Sequence, residues 1–149
     1  MPAWHEPPLA GPAAAHALDR SVIGLGRACL TAFDSSWVTV IALRGEIDAS
    51  NAAEVGTCLH GFVSHERALV LDLSDLDVLG AEGVESLFML ADTCDRLGVD
   101  WALVASQSVR RLLRAGDREG RLPAVGSMVE VLQRFRTARR RRVQLRVVD

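Results

Sequence analysis

At 149 residues the chain has the length of one domain, and its 49% hydrophobic content is enough for a sizeable core. Its 17 basic and 19 acidic side chains nearly cancel, and a formal charge of −2 gives no global attraction to nucleic acid or an anionic membrane. No apolar run approaches the roughly 18 residues of a membrane-crossing helix, and no basic stretch followed by an apolar one marks a secretory leader. A cytoplasmic protein is the expectation.

Residues 1–20 are rich in Pro, Ala and Gly, and Pro2, Pro7, Pro8 and Pro12 block regular structure, so a flexible tail is expected there. Residues 21–136 carry the periodic patterns of one domain, and 137–149 form a basic tail. Cys29-Leu-Thr-Ala-Phe33 reads as an edge strand, followed by a turn at Asp34-Ser-Ser36. Trp37 to Leu43 is apolar except at Thr39, which predicts a strand covered on both faces. Ser50 or Asn51 then caps a helix. Asn51 and Glu54 are spaced as a capping box, and Val55, Cys58, Leu59, Phe62 and Val63 mark the buried stripe.

Leu69 to Leu73 is a second covered strand, interrupted only by Asp72, and Ser74 to Asp77 reads as a turn-rich acidic segment. From Val84 the apolar residues Val84, Leu87, Phe88, Ala91, Cys94 and Leu97 take helical spacing until Gly98 stops them. Gly80-Ala81-Glu82-Gly83 therefore lies at a helix N-terminus beside a strand end. Free backbone N–H groups and the positive end of the helix dipole favour an anion there. Asp100 to Ala105 reads as another covered strand, and Val109, Leu112 and Leu113 face the core from a short helix ended by Gly116. Leu122 to Val125 is a weak strand that Pro123 confines to an edge. The last helix opens at Ser127 with Glu130 completing a capping box, and buries Met128, Val131, Leu132 and Phe135. Strands alternating with helices imply a largely parallel sheet with crossover helices.

Catalytic patterns are missing: there is no Ser/His/Asp or Cys/His frame, no HExxH and no phosphate-cradling glycine loop, so no enzyme is expected. Cys29, Cys58 and Cys94 have no CxxC spacing, and the histidines join them in no zinc pattern, so neither a metal nor a cofactor is expected. Cys58 and Cys94 read as core thiols, with a redox pair between two helices as the alternative. His60 and His65 read as surface residues. Arg110, Arg111 and Arg114 form a polar helix face. The run from Arg136 to Arg142 could grip phosphates. Without interleaved aromatics for base stacking, it reads as a solubilising or docking tail, and the role of Arg139 to Arg142 stays open.

Four features in order resemble the STAS domains, and among them the bacterial anti-sigma factor antagonists. They are Leu43-Arg-Gly-Glu-Ile-Asp48, Leu71-Asp-Leu-Ser-Asp-Leu76, the passage into the helix at Gly83, and Ser108-Val-Arg-Arg-Leu-Leu-Arg-Ala-Gly116. The resemblance covers roughly Phe33 to Phe135. It implies a mixed, mostly parallel sheet of about five strands, with about four helices packed mainly on one side. It also implies a regulatory protein-binding module that docks on an anti-sigma factor of the GHKL ATPase and kinase type. An accessory subunit that binds the ATPase of a lipid or solute transporter is the alternative. Monomer and homodimer both stay open.

The family's switch motif reads Asp-Ser-Ser/Thr-Gly, and a partner kinase phosphorylates the first Ser. Laid onto this chain the motif falls on Gly80, Ala81, Glu82 and Gly83, so the acceptor hydroxyl is missing at Ala81. These four residues are the expected contact centre, and Glu46, Asp48 and Asp72 are the supporting acidic contacts that the resemblance implies. Glu82 is one carboxylate beside the vacant position, whereas phosphoserine carries about −1.5 to −2 charge and three acceptor oxygens. A module without a phospho-switch is thus favoured over a permanent mimic of the phosphorylated state. Ser74 and Ser86 remain as other hydroxyls that could be modified.

Overall fold

The computed structural model describes residues 19–117 and 119–148. The expected flexible tail falls on residues outside that set, apart from its last two. The elements are β1 (Asp19–Leu25), β2 (Ala28–Asp34), β3 (Val38–Ile47), α1 (Ala52–His60), β4 (Ala68–Leu79), α2 (Ala81–Leu97), β5 (Trp101–Val104), α3 (Gln107–Gly116), β6 (Ala124–Val125) and α4 (Met128–Val148). All six strands form one sheet in the order β1-β2-β3-β4-β5-β6. The first three strands run antiparallel to their neighbours, and β3 to β6 run parallel. The sheet is mixed, as expected, with one strand more than the sequence reading counted.

That extra strand is β1, the true edge partner of β2. Gly26 opens the two-residue turn between them with φ 63°, a conformation that glycine adopts without strain. The segment before Cys29 is too polar and too short to be read as a strand by itself. Its regularity comes from pairing, from Asp19 opposite Asp34 to Leu25 opposite Ala28.

Alternation along the central strands divides the core in two. Leu69, Leu71 and Leu73 of β4, with Trp101 and Leu103 of β5 and Ile41 and Leu43 of β3, face α1, α2 and α3. Val70, Ala102, Val104 and Val38 face the opposite side, where α4 supplies Val131 and Phe135. Strands covered on both faces need apolar residues at nearly every position, which explains the unbroken apolar runs. Three helices lie on one face and one on the other.

Three further expectations change. The acidic segment Ser74 to Asp77 is no turn, because β4 continues through it to Leu79. Ala42 faces Asp72 but Arg44 faces Asp75, and Gly45 faces Leu76 but Glu46 faces Val78, so β4 carries one extra residue at each place. Such bulges let an acidic, turn-rich composition stay inside a strand. Opposite them, Gly45 sits at φ 95°, and a Cβ there would stand 2.2 Å from the Arg27 carbonyl oxygen. Leu112 is 46% exposed rather than buried, because α3 turns only Val109 and Leu113 inward. Finally, α4 stays helical past Phe135, so its backbone runs through most of the expected basic tail. The side chains of Arg139, Arg141 and Arg142 lie outside the described residues.

Candidate functional site

The C-terminal ends of β3 and β4 meet at Ile47 and Leu79, which pair in register. Gly80 follows as the N-cap of α2, extended at φ −77° and ψ 172°, and its amide donates to the Ile47 carbonyl at 2.8 Å. The first intrahelical bond runs from the Val84 amide to the Gly80 carbonyl at 3.1 Å. The amides of Ala81, Glu82 and Gly83 therefore have no carbonyl one turn back to bond, and Gly80 has no side chain to cap them. Ala81 and Glu82 are exposed, whereas Gly83 is buried.

Each glycine of this corner has a different reason to be there. A Cβ on Gly83 would lie 2.6 Å from Leu79 Cδ1 and 2.9 Å from Ile47 Cγ2, so α2 rests on the two strand ends through a position with no side chain. A Cβ on Gly80 would meet only ordinary contacts, at 3.4 Å from both Glu82 Oε2 and the Ile47 carbonyl and 3.5 Å from Asp48 Cα. Space at Gly80 does not demand glycine. Gly83 is explained by packing before any partner is considered.

Asp48 lies at the same corner, one residue past the end of β3. Its Oδ1 accepts the Ser50 amide at 2.9 Å and also the Ser50 hydroxyl. The hydroxyl bond first, then the amide bond, holds its carboxyl below the usual carboxylate range; the nearby Arg27 charge adds to this, and partial burial opposes it. Glu46 stays inside β3 opposite Val78 rather than in a turn beyond it. Asp72 is 4% exposed in the middle of β4. Seven residues of strand at ~3.3 Å each separate it from Leu79, a distance of roughly 20 Å. Its Oδ1 accepts the Ser74 amide at 2.9 Å and the Ser74 hydroxyl, so the adjoining bulge satisfies this carboxylate. The structure thus brings Gly80 to Gly83 together with Asp48, keeps Glu46 beside them, and sets Asp72 apart.

Asn51, expected as a helix cap with Glu54, makes no capping bond. Its Oδ1 accepts the Asp48 amide at 2.9 Å, and its Nδ2 donates to the carbonyls of Leu25 and Glu46, each at 2.9 Å. A buried amide that spends three bonds on strand ends fixes the loop carrying Asp48 and Ser50. Sequence spacing could not reveal this, because Leu25 belongs to a strand that was not anticipated.

The remaining candidates are structural. His60 is half-buried, with Nδ1 2.8 Å from the Gly56 carbonyl and Nε2 2.9 Å from Thr93 Oγ1, so it ties α1 to α2 rather than standing on the surface. Arg110 Nε donates to the Ala105 carbonyl at 3.2 Å and is half-buried, whereas Arg111 and Arg114 of that cluster are exposed. Burial raises the Cys94 thiol to about 11, with Asp95 adding to it, and burial raises Cys58 as well. Both cysteines are free, and neither has the lowered pKa of a reactive thiol. Among the described residues no group of three or more His, Cys, Asp or Glu side chains could hold a metal ion. No helix among them is long and apolar enough to cross a membrane.

A mixed sheet with this strand order, and a helix N-terminus docked on the ends of two parallel strands, define the class of the protein. A family model described as the STAS domain matches residues 33–120, and the chain belongs to that family. Within it the chain is an anti-sigma factor antagonist-like domain. It is 35% identical over 85 residues to the Anti-sigma-F factor antagonist RsfB of Mycobacterium tuberculosis, covering 55% of this chain and 67% of that one. It is 33% identical over 129 residues to Osmosensory protein A of the same organism, covering 84% and 82% of the two chains. Among solved structures, an anti-sigma factor antagonist from Mycobacterium paratuberculosis superposes with a TM-score of 0.59 at 25% identity, covering 80% of this chain and 94% of that one. A segment of the murine anion transporter Solute Carrier 26 family member A9 shares the fold alone, with a TM-score of 0.56 at 18% identity over 67% of this chain and 18% of that one.

Proposed function

We propose that this domain binds an anti-sigma factor through the corner formed by Gly80, Ala81, Glu82, Gly83 and Asp48, and that no phosphoryl group at the usual switch position controls the binding. The observation that carries this reading is the exposed first turn of α2. It presents unbonded amides and an alanine methyl in the place where the family's acceptor hydroxyl stands. A methyl side chain cannot accept a phosphoryl group. Glu82 adds one carboxylate, which helix N-termini stabilise by about 0.3–1 kcal/mol. Local helix stability is therefore a sufficient reason for it.

The partner we infer is an ATP-binding anti-sigma kinase; the antagonist-like fold and the exposed N-terminus of α2 support this reading. Control then passes to the abundance of the domain or to a second input. The likeness to a relative named for osmosensing gives osmotic stress as the input to try first.

The test is capture by the tagged full chain from lysate of its own cells, with ATP or ADP present, read by mass spectrometry. Recovery of a small anti-sigma ATPase, lost on Ala81→Glu, is the expected result. The captured ATPase is then given labelled ATP. The wild-type chain should take no label at the α2 N-terminus, and Ala81→Ser should take it. Capture that ignores Ala81→Glu overturns the docking corner, and label on another hydroxyl of the wild-type chain that abolishes capture overturns control by abundance or a second input.

A further inference from the structure

Beside the docking corner, α1 and α2 leave a groove of about 460 Å³ between them, lined by Ala53, Gly56, Thr57, His60, Ser86 and Met89. Its most prominent feature is Met89, 62% exposed in the middle of a helix whose neighbouring Leu90 and Ala91 are completely buried. Helical spacing puts Glu82, Glu85, Ser86 and Met89 on one face, at i, i+3, i+4 and i+7. On the α1 side Ala53, Gly56 and Thr57 are small, and a Cβ on Gly56 would stand 3.3 Å from Ser86 Oγ. The two helices touch at that level, and the space opens outward above it.

The groove is held in shape. Ser86 Oγ lies within donating distance of the Ala52 carbonyl of α1 at 3.2 Å and the Glu82 carbonyl of α2 at 3.1 Å, and His60 bridges the Gly56 carbonyl and Thr93. Every backbone donor and acceptor along the middle of α1 and α2 is spent inside its own helix, so an extended strand would find nothing to pair with. A helix laid between two helices needs only a shaped apolar surface. The adaptable thioether of Met89 suits such a contact.

Charge sets the chemistry of the occupant. Glu82 and Glu85 stand exposed along the α2 side, while Arg96 lies on the same α2 stripe at its far end. Carboxylates in this position repel phosphates and nucleic acid and attract lysine and arginine.

We propose that this groove receives a basic amphipathic helix of the partner protein, with its apolar side on Met89 and its cationic side toward Glu82 and Glu85. The inference rests on the proposed function only in taking the partner to be a protein that approaches this end of the sheet.

The probe is a fluorescein-labelled Leu/Lys peptide of about 18 residues with helical apolar spacing, compared with an isomer of the same composition permuted so that no apolar face forms. Fluorescence anisotropy with the full chain should show saturable binding of the first peptide, about tenfold weaker for the isomer, since one lost apolar anchor is worth about that factor. Met89→Gln should weaken the helical peptide by about tenfold and Glu82→Gln/Glu85→Gln by about threefold. Both substitutions lie on exposed positions, and melting by circular dichroism checks that the fold is kept. No saturable binding up to about 100 µM, equal binding of both peptides, or indifference to Met89→Gln overturns the proposal. If the captured ATPase is lost on Ala81→Glu but kept on Met89→Gln, the groove alone is refuted. Groove-dependent peptide binding with no anti-sigma factor captured refutes the function proposed above and leaves the groove standing.

Discussion

Asn51 Nδ2 donates to the carbonyl of Leu25, 26 residues earlier in the chain, at 2.9 Å, and the side chain that does this is 2% exposed. The same amide group reaches the Glu46 carbonyl, while its oxygen takes the Asp48 amide. One residue thus fastens the β1–β2 turn, the end of β3 and the loop into α1.

Asn51→Ala leaves three backbone groups without this partner in a buried place, and should cost about 2–4 kcal/mol in urea denaturation at pH 7. Asn51→Asp is the sharper variant. It keeps an oxygen for the Asp48 amide and a good capping side chain, but loses both donors and puts a charge against two carbonyls. Destabilisation at least as large as for alanine is expected, and a variant as stable as the parent would show that Asn51 acts as a helix cap after all.

The two glycines flanking Ala81 and Glu82 should respond in opposite ways. Gly83→Ala forces a methyl into the Leu79 and Ile47 side chains and should cost about 1–3 kcal/mol by the same denaturation measurement. Gly80→Ser has room and supplies an uncharged N-cap acceptor beside the Glu82 carboxylate, so it should be neutral or add a few tenths of a kcal/mol. Equal costs at the two positions would contradict the close seating of α2 on the strand ends.

Ser50 holds the Asp48 carboxylate in its charged form, so Ser50→Ala should raise the Asp48 pKa toward the usual 3.8, read from the carboxyl carbon shift in an NMR titration. Because the folded-state pKa is the lower one, the stabilising contribution is present above the unfolded value and is lost as pH falls through the folded value. The parent should therefore lose this contribution at more acid pH than neutral handling conditions reach, and Ser50→Ala should lack it throughout. An unchanged titration curve would remove Ser50 as the cause.

With its thiol near 11 and its side chain fully buried, Cys94 should resist a disulfide-exchange reagent at pH 8 until the protein unfolds. Cys58, raised by burial but only partly covered, should react more slowly than an unfolded thiol. Rapid modification of Cys94 in the native state, or a Cys58–Cys94 disulfide under mild oxidation, would contradict the packing of α2.

Local composition and periodicity were sufficient for the parts of this protein that depend on burial. The apolar runs of Val38 to Leu43, Leu69 to Leu73 and Trp101 to Val104 announce strands covered on both faces, and the spacing from Val84 to Leu97 announces α2. The missing hydroxyl at Ala81 is likewise a fact of the sequence. Tertiary structure alone decided what depends on pairing across the chain. β1 is regular because β2 pairs with it. The Ser74 to Asp77 segment is strand because bulges let β4 continue beside β3. Asn51 is drawn away from its helix by carbonyls of two strands, and Asp72 is kept from the corner at Gly80 to Gly83 by the length of β4. Met89 stands out in solvent because α1 meets α2 through Gly56 and Ser86, and the space between the helices opens outward above that contact. Burial is written in residue type and spacing, whereas hydrogen-bond partners distant in sequence exist only once the sheet has assembled.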